Sequence, residues 1–451
     1  MNDPNQDVGV DNRITQSETS LAAFGSYVLM GFNDSNCAMP GGTVNFSSMA
    51  FSSDGGMTWC DCGSMPRLSG GNNLGDPVVA VDSQGVFYYT HLGTTGNGRR
   101  VVQLNTGVVN PNTQVIKIGK PRIVGVGERS EDVEDKEWIA TGPDSRRPGK
   151  QAVYVTWSDF GPKGTTVQLR FTRLTSGRRP HVLVPPKTID PGPASGSFPV
   201  VDACGNLYVF YEGLGNGEPK SIRMLRSTDG GETFGRPVVV SEVVTAGVPV
   251  CGARFGIEVT GHQRIRLTEF PHAAVGPDST LYVVWNDGRN QDDDGAIDVF
   301  LAFSTDQGDT WIVKQVTDSR RHSFMPSVAA DYRGAHVQYS QFCGSGGPTG
   351  DKTFALFMTS LNVEKGFSRQ SMVSTVCSPV PVTDPNFDPV IADCYMGDYN
   401  QIIAGHRGAL LHSWGDNRHV LDENRNPDVF FIQTGPECPK GPPPMGTPYR
   451  Q

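Results

Sequence analysis

A nine-residue phrase occurs three times in this chain, and it constrains the fold more than any other feature. The copies are FSSDGGMTW at 51–59, RSTDGGETF at 226–234 and FSTDQGDTW at 303–311. In each copy the serine and aspartate oxygens can accept nearby backbone N–H groups, and the glycine two positions after the aspartate can take a positive φ. Strand-forming residues flank the phrase on both sides. The phrase therefore predicts a β-hairpin turn that is used three times.

A longer repeat lies behind these turns. Seven strand-like segments with period-2 alternation recur about every 55 to 75 residues, the length of a four-stranded blade. They begin at Ser17, Gly75, Asp135, Gly196, Glu269, Phe324 and Gly397. The pattern predicts an all-β protein, a β-propeller of four-stranded antiparallel blades with seven blades, or six as the alternative. We expect residues 1–437 to form one propeller domain and residues 438–451 to form a proline-rich C-terminal tail.

Composition supports this architecture and excludes several functions. The 451 residues include 54 glycines and 33 prolines, which suits many short strands and turns. The net charge is −9 and no basic stripe is present, so nucleic acid is not an expected partner. No apolar run is long enough for a membrane span. Nine cysteines without paired CxxC motifs favour disulfides and a secreted or extracytoplasmic protein. We expect a monomer.

The three phrases resemble the Asp-box, or BNR, repeats of sialidase-like propellers, and the segments GDPVVAVD, DKEWIA and MGDY resemble parts of secreted bacterial proteins of this type. The resemblance covers nearly the whole chain. It implies a carbohydrate-active propeller, and it favours an exo-glycosidase of sialidase type. Such enzymes use an arginine clamp, a tyrosine with a glutamate, and an aspartate. The nearest match to the first arginine motif is at Arg13, which lacks the aromatic and proline neighbours of the family and is a candidate substrate-binding residue.

Innermost strands of a propeller line its axis, so residues that open these strands should converge there. Carboxylates brought together in this way either acquire raised pKa values or recruit a cation. We predict Lys136 as a cation that binds substrate within this group, next to Asp135. The candidate catalytic residues are Glu18, Asp76, Glu137, Asp398 and Tyr399.

Two loops suggest further contacts. A Trp-x-Asp-x-Arg pattern places Arg289 and Arg418 as candidate ligands of an anionic sugar, although the same arginines could instead pair with the aspartates of their own motifs. Asp292 and Asp294 belong to an acidic loop that could hold Ca²⁺ or be a solvated loop. No cofactor is required by any motif.

The expected partner is a glycan or an acidic polysaccharide. The leading hypothesis is a sialidase-like exo-glycosidase. The alternatives are a non-catalytic glycan-binding or adhesion propeller, and a polysaccharide lyase on the same fold, for which His272 and His322 are the available bases. Serine-hydrolase, P-loop and zinc-protease motifs do not occur in the sequence.

Overall fold

The protein is all-β. The computed structural model describes residues 13–37, 44–164, 166–215, 219–252, 254–291, 296–344, 352–421 and 424–435. Within these ranges the chain forms strands and three single-turn 3-10 helices but no α-helix. No helix in the described part of the chain is long and apolar enough to cross a membrane. The 3-10 helices are Ser35–Cys37, Pro162–Gly164 and His406–Gly408.

The strands of the first half form four consecutive antiparallel sheets. They are β1 (Gln16–Phe24), β2 (Tyr27–Asp34), β3 (Ser47–Ser52) and β4 (Cys60–Ser64); β5 (Asn73–Val81), β6 (Val86–Thr94), β7 (Arg100–Val109), β8 (Ile116–Ile118) and β9 (Arg122–Gly125); β10 (Val133–Pro143), β11 (Gln151–Phe160), β12 (Val167–Thr175) and β13 (Val182–Asp190); and β14 (Ala194–Val201), β15 (Leu207–Gly213), β16 (Ser221–Ser227) and β17 (Val238–Glu242).

The second half forms three more such sheets, preceded by a small insert. The strands are β18 (Val248–Cys251), β19 (Arg254–Glu258) and β20 (Arg264–Arg266) in the insert; β21 (His272–Val275), β22 (Leu281–Asp287), β23 (Asp298–Ser304) and β24 (Ile312–Gln315); β25 (Ser323–Asp331), β26 (Gly334–Phe342), β27 (Thr353–Asn362), β28 (Gly366–Phe367), β29 (Ser371–Met372) and β30 (Ser378–Pro379); and β31 (Gln401–Ala404), β32 (Leu410–Leu421) and β33 (Asn424–Thr434).

The first strands of the sheets form a closed ring. Strand β1 contacts β5, and the contacts continue through β10, β14, β21, β25 and β31 back to β1. Each sheet then runs outward by antiparallel neighbours, which is the β-propeller architecture. The predicted fold class is confirmed. The count of seven blades stays a prediction, because the last sheet has three described strands and the insert stands outside the ring. The boundary predicted at 437/438 lies outside the described residues.

Apolar side chains fill the spaces between neighbouring sheets. Phe51 of β3 meets Phe87 of β6 edge-on, with ring centroids 6.5 Å apart, and both are buried with Leu29 of β2. Trp157 and Trp285 are fully buried in a larger cluster that extends over several sheets. A blade therefore buries both faces against its neighbours, which holds the first strands rigidly around the axis.

Each repeated phrase forms the turn between the third and fourth strands of its sheet. In the first copy, Ser52 Oγ donates to Asp54 Oδ1 (2.8 Å). Asp54 Oδ1 also accepts the backbone N–H groups of Met57 (3.0 Å) and Thr58 (2.9 Å). Gly56 has φ +90°, a conformation that favours glycine. The prediction of a hairpin turn is confirmed.

Cys343 and Cys377 form a disulfide between the loop after β26 and the segment just before β30. Cys394 is also disulfide-bonded. Disulfides of this kind persist in oxidising compartments.

Candidate functional site at the propeller axis

Five of the first strands share one irregularity near their start. Their pairing with the second strand shifts by a β-bulge, and in each the residue inside the bulge has a positive φ. These residues are Glu18 (54°), Asp76 (55°), Lys136 (51°), Gly196 (64°) and Met325 (50°). For a residue other than glycine this conformation costs about 1 to 3 kcal/mol and concentrates at functional sites. The bulges therefore point to the axis as the candidate site.

Lys136 pairs with carboxylates from three separate segments of the chain. Its Nζ lies 2.7 Å from Asp398 Oδ2, 3.1 Å from Asp76 Oδ2 and 3.6 Å from Glu18 Oε1. Asp135, the preceding residue, accepts the Lys136 backbone N–H (2.9 Å). We call these five residues the axial cluster. The structure thus brings together four of the predicted strand-opening carboxyl groups around a cationic side chain. Their catalytic roles stay a prediction.

Asn33 of β2 holds two members of the axial cluster in register. Its Nδ2 donates to Glu18 Oε2 (2.8 Å) and to the Tyr395 hydroxyl (3.1 Å). Its Oδ1 accepts the backbone N–H of Asp76 (2.9 Å). A single amide thus connects β1, β5 and the segment before β31.

Arg266 at the end of the insert completes the pairing of Asp398. The guanidinium donates to Asp398 Oδ1 from Nη2 (2.5 Å) and Nε (3.1 Å), and it lies 4.9 Å from the centre of the Tyr395 ring. Both carboxylate oxygens of Asp398 therefore face a cation. Charge-assisted contacts of this kind fix geometry more firmly than neutral hydrogen bonds do.

The pKa values of the carboxyl groups in the axial cluster are shifted in opposite directions. Burial raises the pKa of Asp135 to about 6, although Lys136 acts to lower it. Burial also raises the pKa of Glu18 well above its usual value, with the charge of Asp76 adding to the effect. At Asp398 burial is outweighed, because Lys136 and Arg266 hold the pKa below its ordinary value. Opposite shifts within one cluster are typical of acid–base sites.

A cavity of about 830 Å³ opens over the axial cluster. Asp76, Asp135, Lys136 and Asp398 line it, as does Tyr395. This volume is within the range of about 300 to 1,000 Å³ that accommodates small-molecule ligands. The axial cluster thus meets solvent-accessible space that can hold a sugar or another polar molecule of similar size.

Glu137 and Tyr399 line a second cavity of about 20 Å³, which shares Asp76 and Asp398 with the large one. The Tyr399 hydroxyl donates to the carbonyl of Pro77 (3.0 Å). Glu137 is buried, and neither of its carboxylate oxygens has a hydrogen-bond partner in the described part of the chain. Burial raises the pKa of both groups well above their usual values. Among the residues that the structure describes, these two predicted residues line the small cavity but not the large one.

The predicted arginines lie elsewhere. Arg289 donates to Asp287 Oδ2 (2.6 Å) and to the carbonyl of Glu242 (2.6 Å). Arg418 donates to Asp416 from Nε (2.9 Å) and Nη2 (2.5 Å). In the described ranges neither arginine, nor Arg13, lines the large cavity. Arg289 and Arg418 instead pair with the aspartates of their own Trp-x-Asp-x-Arg motifs, which is the alternative given in the sequence analysis.

No group of three or more His, Cys, Asp or Glu side chains in the described ranges is placed to hold a metal ion. The predicted calcium ligands, Asp292 and Asp294, lie outside the described residues.

Sequence reasoning missed Asn33, Arg266 and Tyr395. Tyr395 lies four residues before Tyr399, the predicted functional tyrosine. The path of the backbone from 395 to 399 decides which of the two phenols lines the large cavity. Arg266 belongs to the insert, which carries no repeat signal. Asn33 follows a strand-like run in the FND sequence, and its position at the end of β2 was the available clue.

The chain is thus a β-propeller with a charged, ligand-accessible axis. Neither the models of known protein families nor the sequences of curated proteins match it. Among solved structures, it is similar to a protein of unknown function from Dyadobacter fermentans (12% identity, TM-score 0.43, covering 93% of this chain and 95% of that one). It is also similar to an intramolecular trans-sialidase from Ruminococcus gnavus (13%, 0.42, 93% and 94%) and an alpha-L-arabinofuranosidase from Fusarium graminearum (11%, 0.46, 79% and 95%). At these scores the function has to be argued from the site itself.

Proposed function

We propose that this protein is a glycoside hydrolase that binds and cleaves a sugar in the axial cavity. The observation that carries the proposal is the axial cluster, in which four carboxyl groups from four separate segments surround one lysine. Three of its five residues sit on positive-φ bulges, and four of the five line a cavity of ligand size. Strained backbone that exposes paired carboxyl groups to a cavity is the arrangement expected of a catalytic site.

Hydrolysis of a glycosidic bond uses one carboxyl group that donates a proton and one carboxylate. We assign Asp135 as the acid, because its raised pKa of about 6 keeps it protonated in mildly acidic solution. We assign Asp76 as the carboxylate that faces the sugar, because its side chain lines the cavity while one oxygen is held by Lys136 (3.1 Å). Asp398, with both oxygens in ion pairs, anchors the cluster.

A tyrosine nucleophile of the sialidase type has less support. Burial, with the charges of Glu18 and Asp76, raises the pKa of Tyr395 well above its usual value. The phenol of Tyr399 is affected in the same way and donates to a backbone carbonyl. A phenol with a raised pKa is a poor nucleophile, so the carboxyl groups are the better candidates.

The charge of the site favours a neutral sugar. Lys136 and Arg266 already pair with carboxylates of the axial cluster. An arginine clamp for an anionic sugar would need guanidinium groups that are not already neutralised in this way. A neutral glycoside is therefore a better substrate than a sialoside or an acidic polysaccharide, and exo-cleavage stays a prediction.

One observation favours a second function, non-catalytic glycan binding. Lys136 and Asp398 are tied into several ion pairs, and such a fixed network can present donors and acceptors to sugar hydroxyls without any proton transfer. The lyase alternative lacks a comparable observation, because His272 and His322 are buried and line no part of the large cavity that the structure describes.

The disulfide between Cys343 and Cys377 and the disulfide-bonded Cys394 support secretion, which we propose as the location of the protein.

A screen of neutral and anionic aryl glycosides tests the proposed function. We expect turnover of a neutral glycoside by the wild type and a loss of at least about a hundredfold in kcat for Asp135→Asn, the usual contribution of a general acid. Because the acid must be protonated, kcat/KM of the wild type should fall as the pH rises above about 6. Asp309→Asn is the matched control, since Asp309 is 65% exposed in the third repeated turn. Full activity of Asp135→Asn would refute the assignment.

A further inference from the structure

A second polar cluster lines the large cavity and shares no ion pair with the axial cluster among the described residues. Lys220 Nζ lies 2.5 Å from Glu212 Oε1 and also pairs with Glu269 Oε2. Glu269 Oε1 accepts the backbone N–H of Ala246 (2.8 Å). Glu212 is the penultimate residue of β15, and Glu269 lies between the insert and β21, so this cluster comes from another part of the ring than the axial cluster.

The lysine is the accessible part of this second cluster. Its side chain is 23% exposed, whereas the side chains of Glu212 and Glu269 are each 2% exposed. An ammonium group has three donors, and the two glutamates take two of them. The third donor is available to an acceptor oxygen in the cavity. Two carboxylates and one ammonium sum to a net charge of −1, which disfavours an anionic ligand and suits a hydroxyl group.

Apolar side chains also line the cavity into which this lysine opens. Phe255 of β19 is 37% exposed, Leu214 after β15 is 37% exposed, and both line the cavity. Partly exposed apolar side chains on a cavity wall are groups that a bound ligand can cover. Small-molecule sites commonly combine apolar walls with a few directed polar groups. A sugar ring has the matching chemistry, because it combines an apolar C–H face with hydroxyl groups around its edge.

We propose that Lys220, Glu212, Glu269, Phe255 and Leu214 form a second sugar subsite, which binds a neutral sugar ring on the leaving-group side of the bond cleaved at the axial cluster. We call it the Lys220 subsite. The inference rests on the proposed function for the position of the bond, and it deepens that function by naming the substrate as a neutral disaccharide or longer glycan. The size of the cavity, about 830 Å³, is sufficient for more than one sugar ring.

Two substrates with the same cleaved sugar separate the subsite from the axial cluster. One is a neutral disaccharide, and the other is the glycosyl fluoride, whose leaving group is a single atom and cannot reach the Lys220 subsite. We expect Lys220→Met to raise KM for the disaccharide about tenfold, the loss of one hydrogen bond from a charged donor. The kcat/KM for the glycosyl fluoride should change by less than about twofold.

Phe255→Ala is a second variant that tests the subsite with less risk of a folding defect. Phe255 is partly exposed, and its truncation leaves the Lys220 ion pairs intact. We expect it to raise KM for the disaccharide alone. Lys314→Met, at an exposed lysine of β24, is the matched control and should alter neither substrate. If Lys220→Met and Phe255→Ala leave the disaccharide KM unchanged, or affect both substrates equally, the Lys220 subsite is wrong.

A binding measurement distinguishes failure of this inference from failure of the proposed function. Saturation-transfer NMR with lactose, cellobiose and maltose reports binding without cleavage. If the wild type cleaves no glycoside but binds a disaccharide, and Phe255→Ala loses that binding, the hydrolase proposal fails and the subsite is supported. If Phe255→Ala retains wild-type binding of that disaccharide, the subsite is overturned whether or not the protein is an enzyme.

Discussion

Lys136 compensates the negative charge of several carboxylates at the axis. Three carboxylates approach its ammonium group, and its side chain is only 14% exposed. Removing one partner of a buried ion pair leaves the other charges without compensation, which costs about 3 to 5 kcal/mol. The stability of the molecule should therefore respond strongly to this one side chain.

We expect Lys136→Met to lower the free energy of unfolding by about 3 kcal/mol or more at pH 7. This loss of unfolding free energy should be smaller at pH 5 than at pH 7. Lys136 lowers the pKa of Glu18 and Asp135 in the folded protein, so its removal raises both further above their unfolded values. A group with a raised folded pKa contributes stability that is lost as the pH rises through that pKa. Urea unfolding at both pH values measures the effect, with Lys314→Met as the control. An equal deficit at both pH values would contradict this account.

At the level of single residues, the sequence predicts which side chains meet but not which of them reach the cavity. Glu18, Asp76 and Asp398 converge on Lys136 because each opens or precedes a first strand, and that position is readable from the repeat. The sequence favours Tyr399 over Tyr395 because three residues of irregular backbone separate them, and no periodicity fixes the direction of side chains in such a segment.

At the level of elements, the repeated turns show how one local sequence is reused with one deviation. The residue after the aspartate is Gly55 in the first copy and Gly230 in the second, but Gln307 in the third. All three have positive φ, at 80°, 71° and 61° respectively. Hydrogen bonds from Thr310 lower the pKa of Asp306 to about 2, so the third turn keeps the same pattern of donors. Gln307 thus holds the conformation that glycine adopts in the other copies.

We expect Gln307→Gly to raise the free energy of unfolding by up to about 1 kcal/mol. Relief of a left-handed conformation is worth about 1 to 2 kcal/mol, and the greater freedom of glycine in the unfolded chain takes back about 0.4 to 1 kcal/mol. The exposed Gln307 side chain contributes little packing, and its carbonyl still accepts Arg226 Nη1 (3.1 Å). Gly55→Gln should be destabilising by a similar amount. The midpoints of urea unfolding measure both changes. A loss of stability in Gln307→Gly would show that the left-handed conformation of Gln307 is not strained.

The bulges in the first strands were not predictable from sequence. Strict alternation predicts a regular strand, whereas a bulge adds a residue and reverses which face the following side chains occupy. Only Gly196 gives a local signal among the five positive-φ positions. Glu18, Asp76 and Lys136 are held in place by ion pairs and hydrogen bonds at the axis, which join residues far apart in the chain.

At the level of the whole molecule, the regular repeat was enough to predict a propeller, since each two-strand unit needs a neighbour to bury its faces. The insert β18–β20 was not predicted. It carries no repeat, yet it supplies Arg266 to Asp398 and Phe255 to the cavity wall. The ring thus sets where the charges meet, and the insert contributes the specific contacts around them.

If the protein is a glycoside hydrolase of the kind proposed, a glycan lies in the axial cavity with its cleaved bond at the axial cluster. A crystal structure of Asp135→Asn in complex with the glycoside that the wild type cleaves would show where the sugar binds. We expect the sugar within hydrogen-bond distance of Asp76 and of the side chain at position 135, with the neighbouring ring beside Phe255 and Lys220. A sugar bound instead at the outer turns near Asp54, Asp229 or Asp306, with the axial cavity empty, would overturn the proposed function.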